Sequence, residues 1–176
     1  MSIRSYKNIH PDIGQRVYID PQATVIGQVH IGDDSSIWPG TVVRGDVNRI
    51  SIGQRSNIQD NSIIHVTHDS HYLPGGYPTS VGDDVTVGHQ VILHACTIGS
   101  RCLIGMGSLI MDNVTIADDV MVGAGSLVTQ NTSLPSGYLY LGRPAKQIRQ
   151  LSEEECQRLV YSAQHYVRLK EQYLAS

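Results

Sequence analysis

The sequence predicts an all-β fold in which a triangular, parallel β-helix is followed by one C-terminal α-helix. The main observation is a six-residue spacing of aliphatic residues, and its last stretch is unbroken: Ile98, Ile104, Ile110, Ile116, Val122, Val128 and Leu134. A hexapeptide period is typical of short parallel strands that coil into a prism. The composition agrees, because the 176 residues include 17 Gly and no Phe. Such a chain favours frequent turns and a core of medium-sized aliphatic side chains.

The same spacing occurs earlier in the chain, with two interruptions. Its members are Ile13, Ile19, Val25, Ile31, Ile37 and Val43, then Ile52, Ile58 and Ile64, then Val81, Val87 and Leu93. A small or β-branched residue usually lies four positions after each aliphatic, and Gly or Asp often follows it directly. We therefore expect the aliphatic to point inward, the small residue to fill a corner, and Gly or Asp to turn the chain. Residues 1–135 are predicted to form this β-helix domain.

The repeat ends near residue 135, and the pattern then changes. Residues 136–150, which include Pro144, are predicted to be a linker. Ser152 and Glu155 form an S-x-x-E capping box, which predicts a helix over 151–176. Apolar residues follow at helical spacing, so this helix is expected to pack on the prism or on a neighbouring subunit.

Charge and cysteine content exclude several classes of partner. The net charge is −3 and no basic run is present, which argues against nucleic acid and anionic membranes. No apolar run approaches the roughly 18 residues that span a bilayer. The first residues are polar and lack the apolar stretch of a signal peptide. Three cysteines without C-x-x-C spacing fit a reducing compartment, so we expect a cytoplasmic protein.

The interruptions of the period predict where chemistry is located. The 17-residue step from Ile64 to Val81 predicts a loop insertion at about 67–80. If that loop is left out of the count, Ile64 and Leu93 are one full coil apart. His65 and His94, which come directly after them, should then lie above one another on one face. Neighbouring strands are about 4.8 Å apart, so the two imidazoles can share one metal ion.

A third histidine, His89, falls in a different column of the prism. It lies two residues after Val87, just as Asp60 lies two residues after Ile58. Because Zn–N bonds are only about 2.0–2.1 Å long, His89 of the same prism is not expected to reach a metal between His65 and His94. If all three histidines bind one metal, a second copy of the chain must supply His89. For a three-sided prism, a cyclic trimer with three such sites is the expected closed assembly.

Three stretches resemble the gamma-class carbonic anhydrase family, and the resemblance runs from about residue 13 to 134. They are "RGD" (44–46), "NIQDNSIIH" (57–65) and "GHQVILH" (88–94). The resemblance implies a left-handed coil and a homotrimer. It also implies that zinc, or alternatively iron, is bound between subunits by His65 and His94 of one subunit and His89 of its neighbour.

The resemblance also implies roles for four further residues. Arg44 and Asp46 correspond to an intersubunit salt bridge, and Gln59 and Asp60 to water-positioning and interface residues. The implied reaction is attack of a metal-bound hydroxide on CO2 to give bicarbonate, with Gln59 orienting the hydroxide by a hydrogen bond.

The sequence departs from the family pattern where the reaction must release a proton. Val47 and His68 stand where the efficient prototype has Glu, and its longer acidic loop is missing. His68 or His71 offers an alternative proton shuttle, because a free imidazole titrates near pH 6.5. The other interpretation is that both histidines are surface residues of a mobile loop and have no role in proton transfer.

Two other functions remain open on the sequence alone. One is a metal-binding trimer without efficient catalysis. The other is an acyltransferase or hydrolase for CoA thioesters, in which one histidine acts as a general base and no metal is needed for the transfer.

Overall fold

The computed structural model describes residues 3–175, which form a series of short strands and one long helix. In chain order the strands are β1 (Ile3–Arg4), β2 (Asp12–Ile13), β3 (Tyr18–Ile19), β4 (Thr24–Ile31), β5 (Ser36–Ile37), β6 (Val42–Ile52), β7 (Asn57–Ile58), β8 (Ile63–His65), β9 (Thr79–Val81), β10 (Thr86–Val87), β11 (Ile92–His94), β12 (Thr97–Ile98), β13 (Leu103–Ile104), β14 (Leu109–Ile110), β15 (Thr115–Ile116), β16 (Met121–Val122), β17 (Leu127–Val128), β18 (Ser133–Leu134), β19 (Tyr138–Gly142) and β20 (Ala145–Gln150). The helix, α1, spans Glu153–Leu174.

Strand pairing defines a prism with three faces. Face 1 contains β1, β4, β6, β8, β11, β14 and β17. Face 2 contains β2, the later parts of β4 and β6, and then β9, β12, β15 and β18. Face 3 contains β3, β5, β7, β10, β13, β16, β19 and β20. The predicted left-handed parallel β-helix with one C-terminal helix is thereby confirmed.

The core of the prism consists of one inward column of aliphatic residues from each face. On face 1 the column is Val25, Val43, Ile64, Leu93, Ile110 and Val128, which are at most 1% exposed. Full burial of one such side chain stabilises the fold by about 1.5–3 kcal/mol. Cys96 and Cys102 also belong to the core, and both are buried and unpaired. Burial raises the pKa of the Cys102 thiol to about 12.

Residues 136–150, expected to be a linker, contain two strands. β19 adds a parallel strand to face 3, with Tyr140 in register with the inward Val122. β20 then runs back antiparallel along β19. Tyr140 lies six residues after Leu134 and is 3% exposed, so it occupies the next inward position. The six-residue series of aliphatic residues ends at Leu134 in the sequence because the next inward position is occupied by an aromatic residue, Tyr140.

The helix α1 begins at the predicted capping box. The backbone N–H of Glu155 donates to Ser152 Oγ at 3.2 Å, and the backbone N–H of Ser152 donates to Glu155 Oε2 at 3.0 Å. Its buried residues include Leu159 and Ala163, and it packs on β3, β5, β7 and β10 of the same chain. The helix therefore covers face 3. Across residues 3–175, no helix is long and apolar enough to cross a membrane.

A buried lysine ties the last turns of α1 to the first coil of the prism. Lys170 Nζ is fully buried and donates to the Arg16 carbonyl at 2.6 Å and to Asp34 Oδ1 at 3.0 Å. Arg16 also binds Asp34, with 2.9 Å from Nε to Oδ1. The hydrogen bond from Arg16, joined by that from Lys170, outweighs the effect of burial and lowers the pKa of Asp34 to about 2. The Asp34 carboxylate is therefore the anchor point of the helix.

We expect the substitution Asp34→Asn to make the protein less stable at neutral pH. Because the folded-state pKa is lower than the unfolded one, the stabilisation is complete above about pH 4 and is lost as the pH falls toward 2. The free energy of unfolding at pH 7 should fall by on the order of 1–2 kcal/mol. Denaturant unfolding at several pH values measures this. The exposed Asp12→Asn serves as control, and an equal loss in both variants would contradict the prediction.

Candidate metal centre

His65 and His94 lie one above the other on face 1. β8 and β11 pair in register, with Leu93 over Ile64 and His94 over His65. His65 Nδ1 is 3.2 Å from His94 Nε2. The stacking predicted by counting coils is confirmed.

Each of these histidines also contacts a carboxylate through its second ring nitrogen. His65 Nε2 lies 3.1 Å from Asp46 Oδ1, and His94 Nδ1 lies 2.6 Å from Asp112 Oδ1. A neutral imidazole carries a single N–H, and a carboxylate can only accept. The N–H of each ring therefore points to its carboxylate. The two nitrogens that face each other then both carry lone pairs, so neither can donate to the other, and a cation between them would satisfy both.

The geometry of the pair fits two ligands of a zinc or iron ion. Tetrahedral coordination with Zn–N bonds of about 2.0–2.1 Å places two ligand nitrogens about 3.3–3.4 Å apart. The 3.2 Å separation of His65 Nδ1 and His94 Nε2 is close to that value. Histidine ligands also commonly donate their other N–H to a carboxylate, as both do here.

Arg44 places a positive charge next to Asp46 and His65. It lies directly below His65 on face 1 and donates a short hydrogen bond to Asp46 of the same chain. Burial opposes ionisation of Asp46, but the hydrogen bonds from Arg44 and His65 outweigh it and lower the pKa of that carboxyl. Burial and the Arg44 charge lower the pKa of His65 in spite of Asp46. His65 is therefore neutral at pH 7, the form that binds a metal.

His89 lies at the edge of face 3, two residues after the end of β10. Its Nδ1 is 2.8 Å from Asp60 Oδ2, which confirms the predicted Asp60–His89 column. The ring is 46% exposed. Within the described residues 3–175, no group of three His, Cys, Asp or Glu side chains is placed to hold a metal ion. One chain therefore does not bring His89 to the pair formed by His65 and His94.

Gln59 lies next to the His89 column rather than in it, because it is in register with Gly88. It follows β7, precedes Asp60, and is 6% exposed. Its side-chain amide donates to Asn57 Oδ1 at 3.0 Å, which fixes the orientation of the amide. The predicted site residues thus fall in two groups, with Arg44 and Asp46 beside His65, and Gln59 and Asp60 beside His89.

Sequence reasoning missed two residues of this centre, Asp112 and Thr67. Asp112 holds His94 through one oxygen and accepts a short hydrogen bond from Thr67 Oγ1 through the other. A signal for Asp112 was present, because it lies two residues after Ile110, one coil above Leu93. A signal for Thr67 was weaker, because it stands where the chain leaves the prism for the insertion loop.

An apolar column, which we call the outer stripe, runs beside the histidine pair on the outside of face 1. Its members directly precede the inward aliphatics and are in register: Val42, Ile63, Ile92, Leu109 and Leu127. Ile63 is 44% exposed and Ile92 is 36% exposed. Single exposed aliphatics are common on protein surfaces, whereas a contiguous row indicates an interaction surface.

Comparison with known proteins places the chain in a family. The family model described as "Bacterial transferase hexapeptide (six repeats)" matches residues 10–45 and 95–130. The chain is 59% identical to protein YrdA of Escherichia coli K12, over 98% of this chain and 94% of that protein. It is 45% identical to gamma carbonic anhydrase 1, mitochondrial, of Arabidopsis thaliana, over 94% of this chain and 60% of that protein. The chain belongs to the gamma carbonic anhydrase-like family of hexapeptide-repeat proteins.

A solved structure shows the same fold over nearly the whole gamma carbonic anhydrase-like chain. It is that of a hexapeptide transferase family protein from Anaplasma phagocytophilum, with a TM-score of 0.90 and 41% sequence identity. The match covers 97% of this chain and 97% of that one. The names of such relatives include both transferases and carbonic anhydrases, so the activity has to be argued from the histidine pair.

Proposed function

We propose that this protein hydrates CO2 to bicarbonate at a zinc site shared between the subunits of a homotrimer. The observation that carries the proposal is the pair of facing imidazole nitrogens, 3.2 Å apart, each backed by a carboxylate. When bound, zinc lowers the pKa of water toward about 7 and so supplies a nucleophile for CO2 at neutral pH. Iron is the alternative metal. The three unpaired cysteines support a cytoplasmic location.

The neighbouring subunit completes the ligand set in this proposal. His65 and His94 come from one chain, and His89 comes from the next. Because Asp60 binds Nδ1 of His89, the remaining Nε2 is the nitrogen that would bind the metal. Gln59 and Asp60 would reach the site on the same subunit as His89. The buried Gln59 amide, fixed by Asn57, would orient the reacting water.

The outer stripe supports the trimer. It lies on face 1 beside the open side of the histidine pair, whereas α1 packs on face 3. An assembly that buries the stripe would remove Ile63 and Ile92 from water at the interface where His89 is needed. Hydrophobic burial and metal binding would then favour the same contact.

Proton release would pass through the chain's own titratable groups near the pair. Val47 and His68 occupy the positions of the two acidic residues in the efficient prototype, and Val47 is 45% exposed. His68 and His71 are both exposed in the insertion loop, so either ring can pass a proton to buffer. In this proposal, loss of the two acidic side chains slows proton release, and His68 and His71 are the groups that would replace them.

We expect zinc-loaded protein to hydrate CO2 in a stopped-flow assay. The substitution His94→Ala removes a ligand and should reduce the rate to the uncatalysed background, and chelation of the metal should do the same. Wild-type protein that retains zinc but is no faster than His94→Ala would contradict this function. It would instead support a metal-binding trimer without efficient catalysis.

The family description also names transferases, which favours acyl transfer as a second candidate function. Transfer of an acyl group from CoA with a histidine as general base needs no metal. Metal-free protein that transfers or hydrolyses acetyl-CoA at an undiminished rate would therefore support it. The geometry argues for the first function, because both histidines of the pair turn lone pairs toward one point.

We expect two inactive variants to restore zinc binding when their chains are mixed in one trimer. His89→Ala chains keep His65 and His94, and His94→Ala chains keep His89, so some interfaces regain all three ligands. Each variant alone should bind little zinc, and mixed trimers should regain part of the wild-type content, measured by elemental analysis. A mixture of His65→Ala with His94→Ala is the control, because neither chain has an intact pair. Restoration in the control, or none in the test mixture, would refute the shared site.

We expect Ile92→Lys to dissociate the trimer, because it places a charge in the centre of the outer stripe. Sedimentation or light scattering measures the change in mass. The control is Thr97→Lys, which places the same charge on the exposed surface of face 2. If Ile92→Lys assembles like the wild type, the outer stripe is not the interface.

A further inference from the structure

Asp112 connects the histidine pair to the insertion loop. Its Oδ1 lies 2.6 Å from His94 Nδ1, and its Oδ2 accepts the short hydrogen bond from Thr67 Oγ1. Thr67 is the first residue of the loop 67–80, whose last two residues belong to β9. The backbone of Thr67 pairs with Tyr77 at the other side of the loop base, with distances of 3.0 and 3.1 Å. A single carboxylate therefore contacts both a predicted metal ligand and the loop.

The loop is held at its base, while its tip is exposed. Asn48 Nδ2 donates to the Thr67 carbonyl at 3.2 Å and to the Gly75 carbonyl at 3.0 Å. By contrast, Tyr72 near the tip is 93% exposed. Few packing contacts at the tip mean that the loop opens at a lower free-energy cost than the prism. The contacts of Thr67 are thus among those that decide whether the loop base is closed.

The two carboxylates of the pair are restrained in different ways. Asp46 is held by Arg44, which lies two residues away on the same strand, β6. Asp112 is held on its second oxygen by Thr67, which belongs to the loop. Loop opening would leave the contact of Asp46 unchanged but would release one oxygen of Asp112. His94 is therefore the ligand whose orientation depends on the loop.

We propose that Thr67 and Asp112 are positioning residues that couple closure of the loop 67–80 to metal binding by His94. Asp112 accepts the Nδ1–H of His94, which leaves the lone pair on Nε2 facing His65. The Thr67 hydroxyl fixes the rotation of that carboxylate. The inference rests on one part of the proposed function, that the histidine pair binds a metal, and does not depend on the reaction that the metal supports.

Thermodynamic reciprocity gives the coupling two consequences. If the closed loop raises the affinity for metal by some factor, bound metal must stabilise the closed loop by the same factor. The affinity therefore depends on a loop residue that does not touch the metal. The loop, in turn, becomes more protected when metal binds.

The first test measures zinc affinity by competition with a chromogenic chelator. We expect Asp112→Asn to weaken zinc binding by about 10–100-fold, the usual effect of removing a carboxylate partner of a histidine ligand. Thr67→Val should weaken it by about fivefold, the order of the net contribution of a single hydrogen bond. Thr67→Ser keeps the hydroxyl and should bind zinc like the wild type, which separates lost coupling from damaged folding.

Matched controls exist elsewhere on the prism. Asp12→Asn changes another carboxylate–imidazole pair, Asp12 with His30 at 2.8 Å on face 2, and Thr115→Val removes an exposed hydroxyl on the same face. Both should retain wild-type zinc affinity. In an Asp112→Ala background, which removes both contacts of the carboxylate, Thr67→Val should cause no further loss. A full additional loss there, or wild-type affinity in Asp112→Asn, would overturn the proposal while leaving the metal centre in place.

The second test measures amide hydrogen exchange of residues 67–80 with and without zinc. Zinc should slow exchange in the wild type and in Thr67→Ser, but much less in Thr67→Val. Equal protection in Thr67→Val and the wild type would overturn the coupling. Wild-type protein that binds neither zinc nor ferrous iron would overturn the metal centre and the coupling together.

Discussion

The parallel register of successive coils is the constraint on which the rest of this structure depends. Each inward aliphatic lies directly over its counterpart, as Leu93 does over Ile64, and the outward neighbours are then aligned at the same spacing. A register that packs the core therefore also fixes the distance between His65 and His94. The candidate metal centre therefore needs no additional structural element to align its two histidines, because the column of buried aliphatic residues fixes the position of each along the prism axis.

The same constraint explains why the candidate site is divided. Within one prism, ligands can align only along a column, and the His89 column lies apart from that of His65 and His94. Convergence of three ligands then requires a second prism. The outer stripe beside the pair supplies an apolar surface for that contact, so assembly and site formation are linked in the proposed trimer. A folded but unassembled chain would lack a complete ligand set.

Features that the six-residue period determines were predictable from the sequence, whereas contacts that cross the period were not. Counting aliphatics placed His94 over His65 and His89 over Asp60, because the members of each pair lie one coil apart at equivalent positions. The coil formed by β19 was missed because Tyr140 replaces an aliphatic residue. The contact between Asp112 and Thr67 was missed because it joins a corner of one coil to the start of a long loop. Such contacts depend on side-chain direction and loop path, which a six-residue spacing does not contain.

The antiparallel strand β20 closes the C-terminal edge of face 3. A parallel β-helix ends in a coil whose backbone groups can pair with a further strand, and such an edge is a template for end-to-end polymerisation. On face 3, β20 takes that place and runs in the opposite direction to the strands beneath it. Another prism that approached this edge would meet a strand of the wrong polarity for continuing the parallel stack. On this face the return strand thus works against end-to-end stacking of prisms and favours particles of defined size over fibres.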